Sequence, residues 1–282
     1  MEIHLDCLPC IINQVLSAAR MSTRDGILQA KIMKEALQLV TKYDDYGNTP
    51  ELVASMHEIV KSRTGVLDPY KKIKQEDIKA ALLFYPRLKE FMAEKDNSLY
   101  WALKTSAVGN IIDKAIYKEV DIEGRLEEEL LQEFAHCDFE AFFEKIITAK
   151  RVLIIGDNAG ETVFDRILIH RLQPIPVWYA VRSQPVINDA TYEDAVLSCV
   201  HEDAEIISTG CSAPGAVLRM CSKEFIERFY EADVVISKGQ GNYEALSQVD
   251  REIYFLLKVK CPVISTKMGI PLDSYVFMKR EP

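Results

Sequence analysis

The second half of the chain repeats one pattern: a short apolar run, a polar or glycine-containing turn, and then a segment with helical periodicity. Short buried strands that alternate with helices are typical of a parallel sheet covered on both faces. The pattern therefore predicts an α/β fold, a three-layer Rossmann-like arrangement around a mostly parallel sheet. The predicted strands lie at residues 152–155, 176–181, 205–208, 233–237 and 262–265.

The first half follows a different pattern, in which apolar residues recur every three or four positions. Such spacing predicts amphipathic helices, and we expect roughly five to seven of them and no strand. Thr49 and Pro50 are typical of the N-cap and the first position of one of these helices. We therefore predict an all-helical N-terminal subdomain over residues 1–147 and an α/β domain over residues 148–282.

Composition narrows the class of protein. The 282 residues include 34 Lys and Arg against 43 Asp and Glu, a net charge of −9, and an acidic surface repels nucleic-acid phosphates. No apolar run approaches the roughly 18 residues of a membrane span, and the N-terminus lacks the features of a secretory signal. The seven cysteines are odd in number and dilute, unlike a disulfide framework. We expect a cytoplasmic protein without nucleic-acid or membrane partners, and its assembly state, a homodimer included, is left open.

Acidic and amide side chains follow two of the predicted strands. Asp157 and Asn158 come after the first strand, and Asp189 follows the second. Ligands of such sheets bind beyond the carboxyl ends of the strands, and carboxylate and amide oxygens suit hard ions such as Mg²⁺ or Mn²⁺. The alternative is that these side chains cap the helices that follow them. Neither a dinucleotide fingerprint nor a P-loop is present.

Lysines follow two further predicted strands. Lys238 and Gly239 open the segment KGQGNYE after the fourth strand, and Lys267 follows the fifth. Glycines let backbone N–H groups approach an anion, and a lysine supplies a point charge suited to phosphate. The alternative is a tight turn with a solvated lysine. A cation beside an anion pocket is what phosphoryl transfer requires.

Four segments in order, AVGNIID (107–113), GDNAGE (156–161), PVINDAT (185–191) and KGQGNYE (238–244), closely resemble the domain-of-unknown-function-89 family. The family comprises metal-dependent damage-control phosphatases, and the resemblance runs over essentially the whole chain. The N-terminal Cys-Leu-Pro-Cys resembles its prokaryotic and archaeal branch. The resemblance implies a divalent ion, Mn²⁺, Co²⁺, Ni²⁺ or Mg²⁺, and a metal-bound or adjacent water that attacks a small phosphorylated metabolite, such as a sugar phosphate, a nucleotide or a cofactor-related phosphate.

The resemblance also assigns roles to single residues. It places the metal ion on Asp157, Asn158 and Asp189, and it places Lys238 on the substrate phosphate, so that these four are the expected catalytic residues. The remaining residues expected to bind the substrate are Asn110, Asp113, Glu161, Gly239, Asn242 and Lys267.

Two other functions stay open on the sequence. An S-adenosylmethionine-dependent carboxyl methyltransferase would bind its cofactor at the same sheet edge. It would need a glycine-rich first loop and an acid after the second strand, where this chain has GDNAG and Arg182. A non-catalytic phosphometabolite-binding protein would keep the anion loop without needing the metal ligands.

The pair Cys7 and Cys10 lies at the start of a predicted helix, which places both sulfur atoms on one face. A packed, a redox and a metal-binding role are all compatible with this spacing. For zinc, His4 would add a third ligand, and Cys137 or His136 could complete the usual four.

Overall fold

The computed structural model describes residues 1–109 and 122–282 of the chain. The N-terminal part begins with three helices that pack on one another through a small apolar core, which includes Val15, Ile32 and Val60. Their bounds are α1 Cys7–Ser22, α2 Gly26–Val40 and α3 Thr49–Thr64. The residue that caps α3 is Asn48, whose side chain accepts from the Glu51 backbone N–H, so the helix begins at Thr49, one residue earlier than it would if Thr49 were the cap.

Three more helices connect this bundle to the sheet. They are α4 Lys71–Ala93, α5 Ser98–Val108 and α6 Ile122–Leu131. Buried residues of α4 and α5, such as Ile78 and Leu103, share one apolar core with the helix that follows the second strand. The helical part is therefore packed directly against the α/β part.

The remaining elements form one sheet and the helices that cover it. The strands are β1 Phe134–Cys137, β2 Val152–Ile155, β3 Val177–Val181, β4 Glu205–Ser208, β5 Val234–Lys238, β6 Ile253–Lys258 and β7 Tyr275–Arg280. The helices are α7 Phe139–Ile146, α8 Glu161–Leu172, α9 Tyr192–Leu197, α10 Lys223–Glu231, α11 Gln240–Leu246 and α12 Pro262–Met268. The strand order is β1-β7-β6-β5-β2-β3-β4, and every pair is parallel except β6 with β7.

The central strand β2 is apolar throughout because both of its faces are covered. Successive side chains of a strand point to opposite faces: Val152 and Ile154 join the core beneath α4, α5 and α8. Leu153 joins a second core with Phe225 of α10. The predicted three-layer α/β fold with a mostly parallel sheet is confirmed.

Two predictions about strands are wrong. Residues 262–265 belong to helix α12, because Pro262 suits the first turn of a helix and Gly269, with φ of 68°, ends it. The part before residue 147 is not all-helical, since β1 lies between α6 and α7 and pairs with β7. The division into two domains at residue 147 stays a prediction. None of the described helices has the length and apolar character that a membrane span requires.

Candidate active site

The loops that follow β2 and β3 are joined to each other by backbone hydrogen bonds. Asn158 and Asp189 form an isolated antiparallel bridge, and the Ala190 N–H donates to the Asp157 carbonyl at 2.8 Å. The two strands are parallel neighbours in the sheet, so their loops leave it at the same edge. The structure thus brings together Asp157, Asn158 and Asp189, as the strand-end argument predicts.

The side chains of Asp157, Asn158 and Asp189 do not cap the helices that follow them. The N-cap of α8 is Gly160, and no side chain caps that helix. The N-cap of α9 is Thr191, which forms a reciprocal capping box with Asp194. The acids at 157 and 189 are therefore left for another role.

These loops line a cleft of about 290 Å³ between the sheet edge and the helical part. Both parts of the chain contribute to it, including α1, α3 and α5. Its polar side chains include Gln14, Thr49, Asp157, Glu161, Gln240 and Lys260. The volume is at the lower end of the range for small-molecule sites.

The cleft carries an excess of negative charge. Burial raises the pKa of the Asp157 carboxyl well above its usual value, and the neighbouring Glu161 and Asp189 raise it further, while Arg182 and Lys260 act in the opposite direction. Burial also raises the pKa of Asp189, although Arg182 offsets part of this effect. Arg182 Nε donates to Asp189 Oδ2 at 2.7 Å. A cation bound here would relieve the repulsion between these carboxylates.

The donor atoms at this position fit a hard divalent ion. Within residues 1–109 and 122–282, no three His, Cys, Asp or Glu side chains are arranged to hold a metal, so a cation would also need the amide of Asn158. Asn158 Nδ2 donates to Glu161 Oε1 at 2.8 Å. The amide nitrogen therefore faces Glu161, and the amide oxygen, at the other end of the group, is the atom that could bind a cation. Two carboxylates and an amide oxygen form a donor set that Mg²⁺ or Mn²⁺ accepts.

Two glycines make this packing possible. A β-carbon at Gly239 would overlap the carboxylate of Asp157, and its φ of 79° is one that other residues rarely adopt. A β-carbon at Gly156 would lie 2.7 Å from the Tyr179 hydroxyl oxygen. Both positions therefore require glycine because side chains of the site lie directly against the backbone.

Lys238 lies at the end of β5, as the sequence predicts, but its side chain points into the interior. Its side chain is 1% exposed, and its Nζ donates to Ser106 O at 2.9 Å, to Glu161 Oε2 at 2.9 Å and to Asp165 Oδ1 at 2.5 Å. An ammonium group has three N–H donors, so this set already uses all of them. The expected direct contact of Lys238 with a substrate phosphate is inconsistent with this geometry.

Asn242 is likewise part of the scaffold beneath the cleft. It is fully buried, and its amide nitrogen donates to Gly156 O at 3.1 Å and to Lys238 O at 2.7 Å. Its amide oxygen accepts from the Ala216 N–H at 2.8 Å. These bonds hold three strand-end loops together, so the expected contact between Asn242 and a substrate is not supported.

Lys267 lies outside the cleft because residues 262–268 are a helix instead of a strand. It is exposed near the end of α12, in a separate depression that it shares with Met1 and His4. Lys260, which the sequence argument missed, follows the true strand β6 and lines the cleft. The apolar run IYFLLK (253–258) is the signal that could have identified it.

The other expected residues divide into two groups. Glu161 and Gly239 line the cleft, as predicted. Asn110 and Asp113 lie outside the described residues.

All seven cysteines are free. Burial raises the pKa values of Cys7 and Cys10, and Cys261 is a further, smaller cause in both cases, which places these three thiols near one another. Cys137 lies on β1 instead, beside His136, whose ring contacts Asp138 at 2.9 Å.

Comparison with known proteins identifies the family of the chain. The model of the damage-control phosphatase ARMT1-like domain matches residues 3–276. A damage-control phosphatase of Pyrococcus horikoshii is 34% identical over 100% of this chain and 99% of that protein. An uncharacterized protein of Methanocaldococcus jannaschii is 33% identical over 99% of this chain and 96% of its own length.

One solved structure and a further relative found by sequence belong to the same family. The crystal structure of a DUF89 family protein from Pyrococcus horikoshii superimposes with a TM-score of 0.91 at 31% identity, covering 100% of both chains. A damage-control phosphatase of Archaeoglobus fulgidus is 30% identical over 98% of each chain. The chain belongs to the damage-control phosphatase ARMT1-like (DUF89) family.

Proposed function

We propose that this protein is a divalent-metal-dependent phosphatase that hydrolyses a small phosphorylated metabolite in the cleft at the sheet edge. The observation that carries the proposal is the convergence of Asp157, Asn158 and Asp189 at one wall of that cleft. The names of the relatives from Pyrococcus horikoshii and Archaeoglobus fulgidus support the same reaction class.

The acidic and amide side chains would bind the metal ion, and a lysine would bind the phosphate. Asp157, Asn158 and Asp189 would hold the ion, which we expect to be Mn²⁺, Co²⁺, Ni²⁺ or Mg²⁺. When bound, such an ion withdraws charge from a phosphoryl oxygen and favours ionisation of a water molecule. Lys260, which lines the same cleft, supplies a positive charge for the phosphate.

The cleft volume of about 290 Å³ suits a substrate of metabolite size. Gln14 and Thr49 come from the helical part and line the same space. They would bind the portion of the substrate that remains after the phosphoryl group is removed. The helical part therefore contributes to substrate choice, while the sheet edge carries the phosphoryl chemistry.

Two features argue against the methyltransferase alternative. The loop after β2 reads GDNAGE and lacks the glycine-rich G-x-G-x-x-G turn that a nucleotide cofactor would need. After β3 stands Arg182, which is buried against Asp189, where an acid would be needed for a ribose.

The test is hydrolysis of p-nitrophenyl phosphate with each of the four metal ions and in EDTA, followed by a panel of sugar phosphates, nucleotides and phosphopantetheine. We expect activity only with added metal, and a loss of about a thousand-fold in Asp157→Asn, since metal catalysis contributes several kcal/mol. The exposed Asp44 offers a matched control, and Asp44→Asn should retain full activity. Undiminished activity in EDTA or in Asp157→Asn contradicts the proposal.

A further inference from the structure

A buried group of polar side chains lies beneath the cleft, centred on Asp165 of α8. The Asp165 carboxylate is fully buried. It accepts from Ser106 Oγ at 2.6 Å, from the Tyr179 hydroxyl at 2.6 Å and from Lys238 Nζ at 2.5 Å. None of these residues has a role in the chemistry proposed above.

Lys238 links Asp165 to the cleft. Its Nζ also donates to Glu161 Oε2 at 2.9 Å, so one ammonium group holds two carboxylates. Glu161 and Asp165 lie four positions apart on α8 and therefore project from the same face of the helix. Glu161 lines the cleft, whereas Asp165 lies below it.

The last link of this chain fixes an amide. The other oxygen of Glu161 accepts from Asn158 Nδ2 at 2.8 Å. An ionised carboxylate can only accept hydrogen bonds, so Asn158 must present its NH₂ group to Glu161. This orientation leaves Oδ1, the atom that can bind a cation, at the opposite end of the amide.

The position of Asp165 also depends on the sheet. Tyr179 reaches Asp165 from β3 by passing under Gly156, where a β-carbon would lie 2.7 Å from its hydroxyl oxygen. Ser106 approaches from α5 of the helical part. Donors from two sides therefore fix the Asp165 carboxylate, and a fixed carboxylate fixes the ammonium group of Lys238.

We propose that Asp165 is a positioning residue for the cation site: it holds Lys238, and through Lys238 and Glu161 it orients Asn158 so that the amide oxygen faces the cation. The inference rests on the proposed function only in placing a cation at Asp157, Asn158 and Asp189. Residues that orient metal ligands typically change metal affinity by about 10–100-fold when they are replaced.

The test measures Mn²⁺ binding by isothermal titration calorimetry, together with the melting temperature of each metal-free variant. Asp165→Asn should weaken Mn²⁺ binding by about 10–100-fold, and Tyr179→Phe, which removes one hydrogen bond from Asp165, should weaken it less. The control is Asp203→Asn, because Asp203 is also an ion-paired acid whose side chain is only 6% exposed, but its partner Arg166 lies outside the cleft. It should lower the melting temperature without changing Mn²⁺ affinity.

A second readout separates positioning from a purely structural role. In Asp165→Asn, phosphatase activity should recover at saturating Mn²⁺ with KM for p-nitrophenyl phosphate close to the wild-type value, because the defect lies in cation binding. An Mn²⁺ dissociation constant within two-fold of wild type in Asp165→Asn overturns the inference. If that variant does not fold, an unchanged constant in Tyr179→Phe overturns it instead.

Failure of the inference can be told apart from failure of the proposed function. Wild-type protein that binds Mn²⁺ at this site but hydrolyses no phosphate ester contradicts the proposed function and leaves the positioning role intact. Metal-dependent hydrolysis by the wild-type protein, together with wild-type Mn²⁺ affinity in Asp165→Asn, overturns the positioning role and leaves the proposed function intact.

Discussion

Gly239 lies directly against the carboxylate of Asp157, so closely that a β-carbon at residue 239 would overlap that carboxylate. The two residues belong to loops that follow the neighbouring strands β5 and β2. The glycine at the start of KGQGNYE therefore makes room for an acid of the cleft, in addition to any contact that its backbone makes with a substrate.

The first prediction follows from this contact. Gly239→Ala should displace Asp157 and reduce phosphatase activity by about 100-fold or more, because a displacement of about 1 Å at an active site can reduce the rate by about that factor. The unusual φ of 79° should add a loss of about 1–3 kcal/mol in stability. The measurements are kcat/KM for p-nitrophenyl phosphate and the free energy of unfolding in urea.

Gly65→Ala separates the two effects. Gly65 has a similar φ of 71° but no atom within 4 Å of an added β-carbon, so the variant should lose stability and keep its activity. Equal activity in the two variants would show that the contact between Gly239 and Asp157 is unimportant.

The second prediction compares two lysines. Lys260→Ala should raise KM for a phosphate ester by about ten-fold, because Lys260 lines the cleft. A ten-fold change corresponds to a loss of roughly 1.4 kcal/mol in binding free energy. Lys267→Ala should leave KM unchanged, because Lys267 is exposed near the end of α12. Steady-state kinetics of both variants give the answer, and a rise of KM in Lys267→Ala alone would place the phosphate elsewhere.

The sequence predicts the wall of the cleft that Asp157 and Asp189 form but not Lys260, and the reason is physical. Carboxyl ends of parallel strands share one edge, so Asp157 and Asp189 had to lie close together once β2 and β3 were identified as neighbours. The position of Lys267 depended on a four-residue apolar run, and periodicity cannot assign so short a run to a strand or a helix.

Lys238 illustrates a different limit. It was correctly placed at the end of a strand, since β5 ends at Lys238. Its contacts, however, are with Glu161 and Asp165, far away in sequence. Whether a residue at a strand end faces the ligand or the interior depends on such tertiary partners, which no local pattern contains.

The third prediction concerns the thiols. Cys10 and Cys137 are exposed, whereas Cys211 is buried, so the first two should react rapidly with Ellman's reagent and Cys211 only after denaturation. Prior treatment with a chelator should not change the number of fast thiols, because no three His, Cys, Asp or Glu side chains within residues 1–109 and 122–282 are arranged to hold a metal. Release of stoichiometric zinc by the chelator would contradict a packed role for Cys7 and Cys10.

The fourth prediction is a pH dependence of stability that originates at Glu244, which lines the cleft. Burial raises the pKa of its carboxyl from the ordinary 4.5 to about 7, although the Thr49 side chain and the charged amino terminus oppose the shift. The folded protein therefore binds the proton more tightly than the unfolded chain. Stability from this group is fully present below pH 4.5 and is lost as the pH rises to about 7.

Glu244→Gln removes the titration. The variant should be more stable than wild type above pH 7, by at most about 3 kcal/mol for a shift of about 2.5 pKa units, and the advantage should vanish near pH 4.5. Urea unfolding of the metal-free proteins at intervals between pH 4.5 and 8 measures the difference. Glu227→Gln serves as the control because Glu227 is exposed. A stability difference between Glu244→Gln and wild type that does not vary with pH would mean that Glu244 titrates alike in the folded and unfolded chain.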